Sequence, residues 1–176
     1  MKKYLPFIIL IFFVSVIAAA TYKINKKQEI KSDKELSLEK TKIILPNFSL
    51  QNLFDKNQIF NNATLQKKYS LINFFASWCT TCRAEHDILL RLKSENIIDI
   101  YGVAFRDIDE NTKKFLDEHG NPYTMIAKDP QGLFSKLINL NAVPETLLID
   151  PEGNIAARYQ GNLQEDAIEE IKGFLR

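Results

Sequence analysis

Between Leu71 and Ala76 the chain reads Leu-Ile-Asn-Phe-Phe-Ala, an almost unbroken apolar run that predicts a strand covered on both faces. The run ends at Ser77-Trp78-Cys79, and the next stretch, from about Thr80 to Glu95, predicts a helix. Downstream the pattern keeps alternating. Ile97 to Phe105 is β-rich and apolar, Glu110 to Glu118 is helical and is stopped by Gly120 and Pro122, and Tyr123 to Ala127 reads as a third strand. Asp129-Pro-Gln-Gly132 turns the chain into a short helix over about Leu133 to Ile138. Val143-Pro-Glu145 then enters a strand over Thr146 to Asp150, and Pro151-Glu-Gly-Asn154 joins it to Ile155–Gln160 as a hairpin. Ala167, Ile168, Ile171 and Phe174-Leu175 give a last helix its apolar face. Ahead of the central run, Phe48-Ser-Leu50, the polar Asp55-Lys-Asn57 and Ile59-Phe60 read as strand, turn and strand. There are no internal repeats. Strand–helix–strand followed by helix–hairpin–helix predicts an α/β domain, a central sheet layered by helices.

The first 42 residues obey another rule. Tyr4 to Tyr22 carries no charge, and at about 1.5 Å per residue it is roughly 28 Å long as a helix, near the hydrocarbon thickness of a bilayer. One reading is a signal peptide cut after Ala18-Ala19-Ala20. The other, favoured by a length beyond the usual signal core, is an uncleaved single-pass membrane anchor over residues 1–22. Either reading exports the remainder of the chain. Residues 23–42 are charged and read as a solvated tether, and residues 43–176 form the domain.

Composition sharpens this division. A net charge of +1 conceals nine lysines against four acids in residues 1–42, with an acidic excess in the rest. The domain therefore gives no sign of nucleic-acid binding. The remaining 134 residues suffice for one core, and the twelve phenylalanines of the whole chain need no cofactor to explain them.

The chain holds only two cysteines, Cys79 and Cys82, and both sit at the predicted strand-to-helix junction. Free backbone N–H groups and the positive end of the helix dipole favour an anion there, so Cys79 is expected to have a lowered pKa and to attack as the thiolate. Cys82, about one turn further in, can close a disulfide and expel a bound partner. Competing chemistries are weaker. Zinc lacks a second ligand pair, since His86 and His119 are the only histidines, and Arg83 stands where a haem-attachment motif needs His. Cys79, Cys82 and His86 form a conceivable Cu(I) site, which leaves a copper chaperone as an alternative. Otherwise His86 reads as a solvated helix residue, and the expectation is no metal and no prosthetic group. A structural disulfide in an inert docking module is the remaining option.

Trp78-Cys-Thr-Thr-Cys82 on this strand–helix plan resembles the thioredoxin superfamily. Leu71 through His86 is closer to the CcmG/DsbE family of its TlpA-like branch, the membrane-tethered thiol–disulfide oxidoreductases of bacterial cytochrome c maturation. Tyr101-Gly-Val-Ala-Phe-Arg-Asp107, Gly120-Asn-Pro-Tyr123 and Pro144-Glu-Thr-Leu-Leu-Ile-Asp150 continue the similarity in order. The resemblance implies a thioredoxin-like fold with a central mixed sheet and flanking helices, preceded by a transmembrane helix. It also implies that Pro144 is a cis proline facing the cysteines, although trans in a simple turn is the statistical default. A cis bond would leave the Val143 backbone free to pair with an extended substrate beside Cys79.

Glu85 and Glu145 match acidic positions of that family. For Glu85 a plain alternative is a carboxylate favourably placed near a helix N-terminus. Asn73 stands where many thioredoxins carry a buried acid, so a substitute acid gains interest; partly buried near Cys82, either glutamate would have a raised pKa suited to proton transfer with that thiol. Thr80 replaces the family's proline, and Asn139 and Ala142 replace glycines of its Gly-Val-x-Gly-x-Pro-Glu pattern.

The implied activity is protein-disulfide reduction in the periplasm by a domain held at the inner membrane. Cys79 and Cys82 are its catalytic pair, Trp78, Asn73 and Glu85 are auxiliary, and Val143, Pro144 and Glu145 contact substrate. The implied partners are apocytochrome c or its thiol carrier as acceptor and a transmembrane thiol reductase of the DsbD/CcdA type as donor. One anchor and one small domain suggest a monomer. A broader exported thiol–disulfide exchange enzyme, reducing or oxidising, is the nearer alternative.

Overall fold

Ser70–Phe75, six consecutive buried residues, lies at the heart of the domain with a paired strand on each side. The computed structural model describes residues 43–65 and 67–176. The anchor and tether expected over residues 1–42 lie outside them. Among the described residues no helix is long and apolar enough to cross a membrane.

In chain order the elements are β1 (Ile43–Ile44), β2 (Ser49–Gln51), β3 (Ile59–Asn61), a 3-10 turn (Asn62–Leu65), β4 (Ser70–Phe75), α1 (Thr80–Glu95), β5 (Asp99–Phe105), α2 (Asp109–His119), β6 (Met125–Asp129), α3 (Leu133–Leu137), β7 (Glu145–Ile149), β8 (Asn154–Gln160) and α4 (Glu165–Phe174). The main sheet has the order β1-β8-β7-β4-β5-β6, and β2 and β3 form a separate ribbon. β4, β5 and β6 are parallel, whereas β7 and β8 run antiparallel, so the sheet is mixed as expected. The third strand starts at Met125 rather than Tyr123, and β1 has no counterpart in the hydrophobic pattern.

Strand alternation divides the interior in two. Leu71 and Phe75 point to one face, where they meet Leu89 and Leu92 of α1, Phe115 and Leu116 of α2, and Ile168 and Ile171 of α4. Ile72 and Phe74 point to the other face, against Phe48, Phe60 and Phe134. This parity decides which buried polar groups share the face of the cysteines.

Candidate functional site

Cys79 is the N-cap of α1. Its backbone is extended (φ −87, ψ 114), and its Sγ accepts from the Cys82 N–H at 3.1 Å. A sulfur at a helix mouth thus takes the place of the usual capping oxygen, which favours its anionic form once the pair is reduced. In this structure Cys79 and Cys82 are joined as a disulfide, with Cα atoms 5.3 Å apart. Cys79 Sγ also lies 3.2 Å from Thr81 Oγ1 and 3.6 Å from the Val143 carbonyl. Cys82 is 2% exposed and Cys79 5%, beside Trp78 at 58%. Thr80 occupies the first helical position, where the family's proline would also fit.

The turn ahead of Cys79 is held from across the sheet end. Asp107 accepts from the Ser77 N–H at 2.6 Å and from the Ser77 hydroxyl at 2.8 Å. Trp78 Nε1 donates to the Arg106 carbonyl at 3.3 Å, and Arg83 donates to the Ser77 carbonyl at 3.0 Å. Ser77 and Asp107 were not picked out by sequence reasoning. Asp107 closes the segment Tyr101–Asp107 that carried the resemblance, which was the available signal.

Behind the disulfide lies a buried polar network. Asn73 Nδ2 donates to Glu85 Oε1 at 2.8 Å and to Thr146 Oγ1 at 3.0 Å, the Tyr123 hydroxyl donates to Asn73 Oδ1 at 2.8 Å, and the Leu163 N–H donates to Glu85 Oε2 at 2.9 Å. Glu85 has no exposed surface, and burial pushes its carboxyl up to about 7, against the opposing pull of the Leu163 and Asn73 donors. Glu85 therefore fills the interior next to Asn73. Its place in the second turn of α1 also keeps it near the helix N-terminus, as the plainer alternative has it.

His86 needs a correction too. It is buried, its Nε2 donates to the Gly120 carbonyl at 2.9 Å, and its ring meets Phe115 edge-on. Burial lowers its pKa. The solvated role is replaced by a core one, with Nε2 already committed to a carbonyl. Among the described residues no group of three or more His, Cys, Asp or Glu could hold a metal ion.

The Val143–Pro144 peptide bond is cis. Pro144 O accepts from the Gly161 N–H at 3.0 Å, while the Val143 N–H makes no backbone hydrogen bond among the described residues. Asn139 sits at φ +55, the left-handed region that glycine or asparagine tolerates, whereas Ala142 has no positive φ. Glu145 departs from expectation. It is 1% exposed and pairs with Phe74 in register, on the sheet face opposite Cys82 and Glu85. Arg158 Nε lies 2.7 Å from Glu145 Oε1, an ion pair in which neither atom makes an aligned hydrogen bond.

A disulfide capping a helix, beneath a cis-proline loop on a mixed sheet, defines a thiol–disulfide oxidoreductase of thioredoxin-like fold. Comparison with known proteins narrows this. The Redoxin family model matches residues 39–174. The thiol:disulfide interchange protein DsbE of Escherichia coli K12 is 34% identical over 173 residues, covering 97% of this chain and 92% of the relative. The thiol:disulfide interchange protein HelX of Rhodobacter capsulatus is 41% identical over 110 residues, or 62% of each chain. Among solved structures, a thio-disulfide isomerase from Thermus thermophilus matches with a TM-score of 0.63 at 25% identity, covering 76% of this chain and 94% of that one. The chain belongs to the redoxin family and, within it, to the DsbE group of thiol:disulfide interchange proteins.

Proposed function

We propose that this protein is the exported, membrane-held reductant of cytochrome c maturation, keeping the haem-attachment cysteines of apocytochrome c reduced directly or through a thiol carrier. The observation that carries the reading is the helix-capping sulfur of Cys79 placed 3.6 Å from the Val143 carbonyl beside the cis Pro144. That arrangement lets an extended polypeptide lie along Val143 while presenting its own disulfide to Cys79. Similarity to DsbE across nearly the whole chain and the apolar segment Tyr4–Tyr22 support the same reading.

The steps balance as a dithiol–disulfide exchange. The Cys79 thiolate attacks one substrate sulfur, forming a mixed disulfide and releasing the other as a thiolate. Cys82 loses its proton, attacks Cys79 Sγ and expels the second substrate sulfur as a thiolate, leaving the Cys79–Cys82 disulfide; the Cys82 proton and one from water return the two released sulfurs to thiols. Glu85, buried and close to neutral pH in its titration, receives the Cys82 proton and passes it on. Trp78 offers an exposed apolar ring to the visitor. The exported compartment oxidises thiols, so a transmembrane thiol reductase of the DsbD/CcdA type must supply two electrons per turnover.

The test is trapping. Cys82→Ser, expressed in the source cell, leaves Cys79 joined to its partners, and cytochrome c or a maturation thiol protein is the expected adduct. Adducts spread over many unrelated exported proteins would replace this reading with a general exchange enzyme. A reduction potential well above about −200 mV would make it an oxidant.

A further inference from the structure

We infer that Tyr123 is a positioning residue for the exchange reaction: its buried hydroxyl fixes the orientation of the Asn73 side-chain amide and so dictates which face of that amide Glu85 meets. The inference rests on the reading of Glu85 as the group that handles the Cys82 proton.

The geometry is a relay of three side chains. The Tyr123 O–H donates to Asn73 Oδ1, and this is the only hydrogen bond of that hydroxyl among the described residues. With Oδ1 so engaged, Nδ2 must point the other way, where it reaches Glu85 Oε1 and Thr146 Oγ1. Turning the amide by half a rotation would leave the phenol hydrogen without an acceptor in the interior, and a buried polar group without a partner is costly. It would also set a carbonyl oxygen against the carboxylate.

Tyr123 is itself held firmly. Its ring stacks on Phe75 with centroids 4.8 Å apart, and Gly102 leaves it room, since a Cβ there would stand 2.9 Å from Tyr123 Cγ. Burial, and then the nearby Glu85 charge, keeps the phenol protonated and therefore a donor. Few other titratable groups face Glu85. Cys82 precedes it by one turn of α1, His86 turns to the Gly120 carbonyl, and the Glu145–Arg158 pair occupies the opposite sheet face. Glu165 of α4 is exposed and paired with Arg91. Leu163 contributes only a backbone donor.

One hydroxyl thus selects between two states. With the Tyr123 O–H in place, Glu85 meets an N–H, which favours its charged form. Without it the amide is free to turn and offer Oδ1, which accepts from a protonated Glu85 and favours the neutral form.

The experiment uses the full chain in its disulfide form, with the Glu85 carboxyl tracked by carbon-13 NMR and assigned by its loss in Glu85→Gln. In Tyr123→Phe, which preserves the stacked ring, the Glu85 titration midpoint is expected to rise by about one pH unit. Its loss of stability in urea should be larger at pH 9 than at pH 5, because only charged Glu85 needs the N–H. A midpoint shift below about 0.2 pH unit, or an equal loss at both pH values, would overturn the inference. Should Tyr123→Phe not fold, the unaltered chain still decides. Asn73 side-chain amide protons close to the Thr146 methyl group support the orientation, and their absence there excludes it. Failure of the Glu85 reading looks different: Glu85→Gln would resolve mixed disulfides at the native rate at every pH, whatever Tyr123→Phe does to the titration.

Discussion

Glu85 and Glu145 lie on opposite faces of the same sheet. Glu85 bonds to Asn73 on the face that carries Cys82, whereas Glu145 stands opposite Phe74 and pairs with Arg158 on the other. The two acids are therefore separate devices. Glu85 belongs to the polar network behind the cysteines, while Glu145 fastens β7 to β8 and, through the Arg158 contact with the Ile138 carbonyl, the loop that leads into Pro144.

Removing Arg158 should expose that second role. In Arg158→Met the Glu145 carboxyl stays buried without its cation, and we expect a stability loss of about 2 kcal/mol near pH 7, below the full cost of an orphaned buried charge because Arg158 itself is partly exposed. Glu145→Gln combined with Arg158→Met should recover part of it. Urea titrations of the three chains measure this, and strictly additive losses would argue against the pair.

Glu85 predicts an unusual pH dependence. Its folded value of about 7 is above its unfolded value of about 4.5, so the folded state holds an extra proton between those limits. Stability should be greatest below about pH 4.5 as far as this group is concerned, and should fall by about 3 kcal/mol as pH rises to about 7, then level off. Denaturation of the disulfide form at stepped pH reads this directly. Glu85→Gln should flatten the slope, even though its amide would set one donor against the Leu163 N–H.

The asymmetry of the two sulfurs is open to alkylation. In the reduced chain, iodoacetamide at pH 7 should modify Cys79 at least about tenfold faster than Cys82, because Cys79 caps the helix and is the less buried of the two. Mass spectrometry of peptides from partly modified protein gives the ratio. Equal rates would remove the basis for assigning attack to Cys79.

Asp107 should matter more than its distance in sequence suggests. Asp107→Ala removes both acceptors of Ser77, one of them for a backbone N–H just ahead of the disulfide, and we expect a loss of about 2 kcal/mol. Disulfide reduction should slow along with it, since the turn that aims Cys79 loses its brace. Unchanged stability and rate would mean that Arg83 and Trp78 hold the turn unaided.

The buried stripe of α1 shows what reading a sequence can miss. Cys82, Glu85, His86, Leu89 and Leu92 are its buried residues, spaced three and four apart as a core face requires. The spacing is present in the sequence, but Glu85 and His86 are polar, and nothing in their own chemistry announces burial. Only the partners explain their burial: Asn73 and Leu163 for one, Gly120 and Phe115 for the other, none within ten residues of its mate along the chain.

The sequence alone settled what depends on neighbours in the chain. Apolar runs and helical spacing placed the strands and helices, apart from the two-residue β1 and the second and third core strands, which each start two residues late. The strand-to-helix step put Cys79 at a helix mouth, with Cys82 one turn away. These are short-range matters, decided by sterics, caps and periodicity within a few residues. Tertiary structure decided everything that depends on which distant group arrives. It gave Glu85 a dry setting and donors, sent Glu145 to the far face, fixed the cis Val143–Pro144 bond and brought Tyr123 to Asn73. Burial and hydrogen-bond partners come from packing between strands and helices far apart in the chain, and no local pattern carries that information.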